Sequence, residues 1–174
     1  MAVEKDPETY SSAGSIVIGD LQPEFALSPG FIAMDGPRHT AHRKTVSPVL
    51  GPRNLDRLEP LIRERVVGIL DSLPVGETFD WVDRVSIELT TGMLATIFDF
   101  PYDQRHKLTY WSDMATSSPE QTGAIGVTEE GRQEALMECL EFFTGLRKER
   151  ENKPESERLD LISWMANGAA TKNM

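Results

Sequence analysis

Phe31-Ile-Ala-Met-Asp-Gly-Pro-Arg-His-Thr-Ala-His-Arg43 is the stretch on which the reading of this chain turns. Asp35 and Gly36 both cap helices well, and Pro37 is tolerated only in a first turn. A helix is therefore expected to start near Asp35 or Gly36 and to end or kink by Pro48. On it His39 and Arg43 are four apart and share a face, and counting on at about 3.6 residues per turn adds His42, Val46 and Leu50. Ala41, Lys44 and Thr45 fall on the other side. If the Val46 and Leu50 side is buried, His39 and Arg43 point inward, where an unpaired cation is expensive. No acid lies between Asp35 and Asp56, so the neutralising charge comes from a distant segment or from a ligand. A carboxylate-bearing cofactor would serve, because a guanidinium grips a carboxylate through two hydrogen bonds. Two other readings stay open. One is a solvated basic patch on a surface helix. The other is a zinc site from His39, His42 and His106, which lacks a nearby Cys, Asp or Glu to complete it.

Outward from this stretch, helical periodicity dominates and the chain reads as mainly α. Residues 1–13 read as a short helix and turn. Residues 14–33 read as an irregular loop, broken by Gly14, Gly19, Pro23, Pro29 and Gly30 and unusually apolar. Downstream, a helix carries Leu55, Leu58, Leu61, Ile62, Val66, Ile69 and Leu73, with Pro60 predicting a late start to its regular part. Glu77 to Trp81 reads as a brief strand, followed by a helix with Val82, Val85, Leu89, Met93 and Ile97 on one face until Pro101. Further helices are expected over Asp103 to Met114, Thr128 to Arg150 and Glu157 to Met165, with residues 115–127 a loop. In the second of these, Leu136, Cys139, Leu140, Phe143 and Leu146 are expected inward.

Composition narrows the function. With 174 residues, 39% of them hydrophobic, the chain can bury one core of domain size. A net charge of -10 argues against a nucleic-acid partner, since phosphate binding needs concentrated Lys and Arg. The N-terminus has no basic segment leading into an apolar one, and no apolar run approaches the roughly 18 residues that span a bilayer. A soluble, cytoplasmic protein without a transmembrane segment is expected. The single cysteine, Cys139, fits a reducing compartment. It sits in Ala135-Leu-Met-Glu-Cys-Leu-Glu-Phe-Phe143, a helical run without glycines, and reads as a structural thiol.

The Phe31 to Arg43 run resembles the start of the C helix in bacterial cytochromes P-450, the haem-thiolate monooxygenases, whose pattern there is Asp-Pro-Pro-x-His-x-x-x-Arg. Gly36 stands where Pro is usual, a departure that touches the helix start rather than the His and Arg. The resemblance continues through the D helix and through Glu77-Thr-Phe-Asp-Trp-Val-Asp-Arg-Val-Ser-Ile-Glu-Leu-Thr-Thr91 to Pro101. From there it runs on through Trp111-Ser-Asp113 to Asp160-Leu-Ile162, covers nearly the whole chain and points to the soluble alkane terminal hydroxylases.

The resemblance implies a partial cytochrome P-450 fold from the B to the H helix. It would be mainly α with a minor β element, without the I helix and the cysteine-ligand region, and residues 1–174 would form one partial domain truncated at both ends. It implies that His39 and Arg43 hold a propionate of haem, with the axial cysteine outside these residues. Ile18, Leu27, Phe31 and Ile32, in the B–C loop, would line a pocket for an apolar substrate, while Trp111 and Met114 would be core. Arg38, Lys44 and Arg53 would dock an acidic iron-sulfur ferredoxin that is served by its reductase. The implied reaction is hydroxylation of an unactivated C–H bond, at the terminal carbon of an alkane or fatty chain, with these residues alone inactive. The alternatives are a cytochrome P-450 acting on terpenes or steroids, and a non-catalytic helical module whose acidic surface docks a protein.

Overall fold

In the computed structural model, residues 3, 6–13, 30–117 and 127–172 are described, and all the regular structure among them is helical. The minor β element is thereby corrected: residues 77–80 are irregular and Trp81 already begins a helical stretch. A lone strand leaves its backbone groups unpaired, and Asp80 supplies the alternative. Its carboxylate accepts from the backbone N–H of Val82 at 2.8 Å and of Asp83 at 3.3 Å, which caps a helix and turns the chain into it.

Helix α1 spans Arg38–Val46 and follows a tight turn at Phe31–Ala33 and a cis Gly36–Pro37 bond. It ends, as the prolines predict, in the 3-10 turn Ser47–Leu50. Helix α2 spans Pro52–Asp71 and continues through Pro60, so its expected late start is corrected. Pro52 in the first turn costs no hydrogen bond. The bond lost at Pro60 is outweighed by keeping buried Leu58 and half-buried Leu61, Ile62 and Arg65 on one continuous face.

A wide turn of π-helix, Val82–Ile87, leads into helix α3, Glu88–Phe98. Each wide turn inserts a residue and rotates the rest of the helix by about 100°. The expected face is corrected in part: Val85, Leu89, Met93 and Ile97 are half-buried, but Val82 is exposed and the deepest positions are Thr91, Gly92 and Ala95. Asp99, at φ 51°, ends α3 in the left-handed conformation. Helix α4, His106–Thr116, is present as expected but starts three residues after Asp103, behind the 3-10 turn Tyr102–Gln104, and ends two after Met114. The Tyr102 ring between α3 and α4 has the guanidinium groups of Arg65 and Arg105 at 4.6 and 4.5 Å, and Arg105 also binds Glu88 at 2.7 Å.

Helix α5, Glu129–Arg150, is capped by Thr128, whose hydroxyl accepts from the Gly131 N–H at 3.1 Å. Glu129 and Glu130 at its start and Arg147, Lys148 and Arg150 at its end oppose the helix dipole. Ala135 and Leu146 are buried and Phe142 and Phe143 pack inward, but Leu140 is 59% exposed, a correction to the expected inward face. The core lies among α3, α4, α5 and α6 (Leu161–Asn167), around Ala95, Phe100, Trp111 and Ile162. The Phe100 ring lies 4.8 Å from that of Phe142, tilted by 32°, and meets Trp111 edge-on at 6.1 Å. The indole N–H of Trp111 is satisfied by Glu138 at 3.0 Å. Trp111 and Met114 are thus core, as expected.

Helix α6 starts four residues later than its spacing predicts, because Asp160 is its cap: Oδ1 accepts from the Ser163 N–H at 2.8 Å and Oδ2 from its hydroxyl at 2.5 Å. The same carboxylate faces Arg150 across 3.5 Å, near enough to pair but not aligned for a hydrogen bond. Arg150 Nη2 donates to the Asp99 carbonyl at 2.7 Å and carboxylate at 2.9 Å, and Nη1 to the Leu146 carbonyl at 3.0 Å. Asn167 closes the knot by donating to the Arg150 carbonyl at 2.7 Å. The ends of α3, α5 and α6 are tied there. Among the described residues no helix is long and apolar enough to cross a membrane.

Candidate functional site on the first helix

Helix α1 rests on α6, and the contact sets which side of α1 is buried. Gly168, just past α6, has no side chain, and Thr45 occupies the space its Cβ would take. With Thr45 turned that way, His42 (3% exposed) and Val49 (1%) form the buried side, flanked by half-buried Val46. The inward face expected from spacing is corrected. Leu50 is 58% exposed because the tighter Ser47–Leu50 turn, about three residues per turn, brings Val49 inward instead. Arg43 is exposed, and His39 half-buried.

His39 and Arg43 nevertheless stay together, one helical turn apart on the flank beside the buried side. The Phe31 ring lies 6.3 Å from the His39 imidazole. Among the described residues no carboxylate pairs with Arg43. Lys44 lies opposite His42, as the helical repeat of about 100° per residue requires. His42 keeps its Nδ1 buried without a hydrogen-bond partner among the described residues. His106 sits on α4 and pairs with Glu88 at 3.2 Å, and no group of three metal-ligating side chains gathers among the described residues.

Asp35 anchors the start of α1. Its carboxylate accepts from the Ser11 hydroxyl and, at 2.8 Å, from the Ser12 N–H, while its carbonyl accepts from the His39 N–H at 2.9 Å. The Ser11 bond first, then Ser12, with smaller help from Ala13 and the His39 charge, holds this carboxyl below the ordinary carboxylate range against a weaker opposing effect of burial. A group whose folded pKa is depressed stabilises above its unfolded pKa and loses that contribution as pH falls through the folded one. The tether of residues 11–13 to α1 is therefore expected to open only below the ordinary carboxylate range. Amide exchange at Ser12 measured across an acid titration checks this, and early loss of protection near pH 6 would contradict it.

Of the other expected site residues, Phe31 is half-buried and Ile32 is 67% exposed, so only Phe31 is seen beside the His39 ring. Ile18 and Leu27 lie outside the described residues. Arg38, Lys44 and Arg53 are all exposed. Arg53 lies in a groove with Arg57 and Arg158, which the sequence reading missed: Arg57 and Arg158 are far apart in the chain and no local spacing announces their meeting. Cys139 is half-buried against the core, where burial first and the Glu138 charge second push its thiol above the ordinary range.

No family model matches the chain. The chain is similar to CYP153D17 from Sphingomonas sp. PAMC 26605, a solved structure with 42% sequence identity and a TM-score of 0.79, over 99% of this chain and 43% of that one. It is also similar to cytochrome P450-153 from Novosphingobium aromaticivorans, at 38% identity and a TM-score of 0.74, over 100% of this chain and 43% of that one. Among curated proteins it is 36% identical over 115 residues to the putative cytochrome P450 126 of Mycobacterium tuberculosis, covering 62% of this chain and 27% of that protein. The chain thus spans less than half the length of these relatives.

Proposed function

Since the chain belongs to the bacterial cytochromes P450, we propose that it forms the haem-propionate side of a monooxygenase that hydroxylates an unactivated C–H bond. One atom of O2 enters the substrate and the other leaves as water, with two electrons delivered one at a time by an acidic ferredoxin and two protons taken up from solvent. The observation that carries this reading is Arg43, an exposed guanidinium one turn from His39 with no carboxylate among the described residues to neutralise it. Similarity to the two P450-153 structures supports the terminal carbon of an alkane or fatty chain as the point of attack. In this reading Phe31 lies on the apolar side of the pocket with Ile32, Ile18 and Leu27, Arg38, Lys44 and Arg53 meet the ferredoxin, and the protein works in the cytoplasm.

The donor set fits a propionate. Arg43 can give two parallel N–H bonds to one carboxylate, and His39 a third from the same flank. Haem, when bound with a thiolate on its iron, supplies the oxygen chemistry. Residues on α1 hold and orient; they transfer no proton to substrate. Asp35 fixes the start of the helix that carries them.

In the haem-loaded protein, Arg43→Ala is expected to release haem about tenfold faster or more than Lys44→Ala, since removing a charge-assisted bond to a carboxylate costs about 1.5–3 kcal/mol and an exposed lysine little. Transfer of haem to an acceptor globin measures it, and equal loss from both variants would sink the assignment. Cys139 is packed against the core with its thiol pushed up, the opposite of a metal-ligating thiolate. Residues 1–174 given haem, reductant and carbon monoxide are therefore expected to give no thiolate-type absorption band. Appearance of that band would reassign Cys139 as the iron ligand.

A further inference from the structure

Between the start of α2 and the turn that precedes α6 runs a groove of about 620 Å³ whose charged lining is three arginines, Arg53, Arg57 and Arg158, and one carboxylate, Glu155. None of the three arginines forms an ion pair among the described residues. Two of them are held in place by neutral partners. Arg57 donates to the Asn54 side chain at 3.1 Å and more loosely to the Leu159 carbonyl at 3.5 Å. Arg158 donates to the Lys153 carbonyl at 2.9 Å, and its guanidinium lies 5.9 Å from the centre of the Trp164 ring. These contacts order the side chains beforehand and leave other N–H groups of each guanidinium for a ligand, so less side-chain entropy is lost on binding. The apolar part of the groove is Leu159, 53% exposed, beside half-buried Trp164.

Three unpaired guanidinium groups in one groove of a chain with net charge -10 run against the charge of the whole. They favour a negatively charged ligand that reaches this spot alone. A nucleic acid, whose phosphates extend in a continuous line, would meet the acidic remainder of the surface. A small dicarboxylate would leave the apolar part unused. We propose that the groove seats an acidic segment of a protein partner, its carboxylates on Arg53, Arg57 and Arg158 and an apolar side chain against Leu159 and Trp164. The proposal goes beyond the ferredoxin reading and does not need it, although Arg53 is common to both, because binding here is read with no electron transferred.

The test uses the full chain and a fluorescein-labelled peptide, Asp-Glu-Leu-Asp-Glu, followed by anisotropy at about 0.15 M salt, where exposed charges are largely screened beyond about 8 Å. Binding is expected, about tenfold weaker to Arg57→Ala/Arg158→Ala, about threefold or more weaker to Leu159→Ser, and unchanged by Lys148→Ala. The amide peptide Asn-Gln-Leu-Asn-Gln is expected not to bind. Should the double arginine variant fail to fold, Leu159→Ser decides, since that side chain is already exposed. The proposal is overturned if the parent chain does not bind the peptide, if the amide peptide binds equally, or if Leu159→Ser is without effect. It is also overturned if Lys148→Ala weakens binding as much as the arginine pair does, which would reduce the effect to net charge. Self-association of the chain that is lost on Arg57→Ala would give the groove to a second copy and overturn it as well.

Discussion

Replacing Arg150 with Met is expected to destabilise the protein by about 3–5 kcal/mol, the range for breaking a buried ion pair from one side. Met fills much of the same volume, so the loss is electrostatic rather than a cavity. It leaves Asp160, 4% exposed, with a buried negative charge and only Ser163 to answer it, and it takes the guanidinium donor away from the Asp99 carbonyl and carboxylate. The ends of three helices come loose at once. Urea unfolding of Arg150→Met, Asp160→Asn and the pair together measures the coupling. The double variant is expected to be less destabilised than the sum of the singles, because Asn in place of Asp160 removes the stranded charge while still capping α6. A cost under about 1 kcal/mol for Arg150→Met would mean that water reaches the knot, and strict additivity would mean that the 3.5 Å approach carries no energy.

The second large effect is expected at Gly168. Its backbone, at φ -77° and ψ 132°, suits any residue, and on conformational grounds alone Gly168→Ala would stabilise slightly by restricting the unfolded chain. Space decides otherwise. An added Cβ would stand 2.2 Å from the Thr45 methyl, 2.7 Å from the Thr171 hydroxyl and 3.0 Å from the Trp164 carbonyl. Neither threonine moves freely: Thr45 donates to the Ala41 carbonyl at 3.1 Å, and buried Thr171 to the Met165 carbonyl at 2.7 Å. Overpacking of this kind costs about 1–3 kcal/mol, and α1 must shift away from α6. Gly168→Ala should therefore lower the urea midpoint, and adding Thr45→Ser, which removes the closest methyl and keeps the hydroxyl, should recover part of the loss. A neutral Gly168→Ala would show that α1 is not seated there.

How much of this was legible in the sequence depends on how local each cause is. Helices α4 and α5 announce themselves because their periodicity lies within the element, and α5 also carries its own cap, Thr128 before Glu129. The pairing of His39 with Arg43 was legible for the same reason: four residues of helix fix it. Which flank of α1 is buried was not. That is set by Gly168 and Thr45, more than a hundred residues apart in the chain, and by a 3-10 turn whose tightening swaps Leu50 for Val49. The wide turn at Val82–Ile87 defeated a face count that assumed one uniform repeat. Glu77 to Trp81 looked strand-like residue by residue, but its outcome came from the capping carboxylate of Asp80. The meeting of Arg57 with Arg158 has no local sign at all.

Asp160 serves two masters, and this narrows what a diverging lineage could place at position 160. A short side chain is required to reach back to the Ser163 N–H, and a negative charge is required to face Arg150. Asn and Ser meet the first demand without the second, and Glu meets the second while overreaching the first. Drift at this site is consequently closed unless Arg150 changes with it, so the two positions are expected to vary together or not at all.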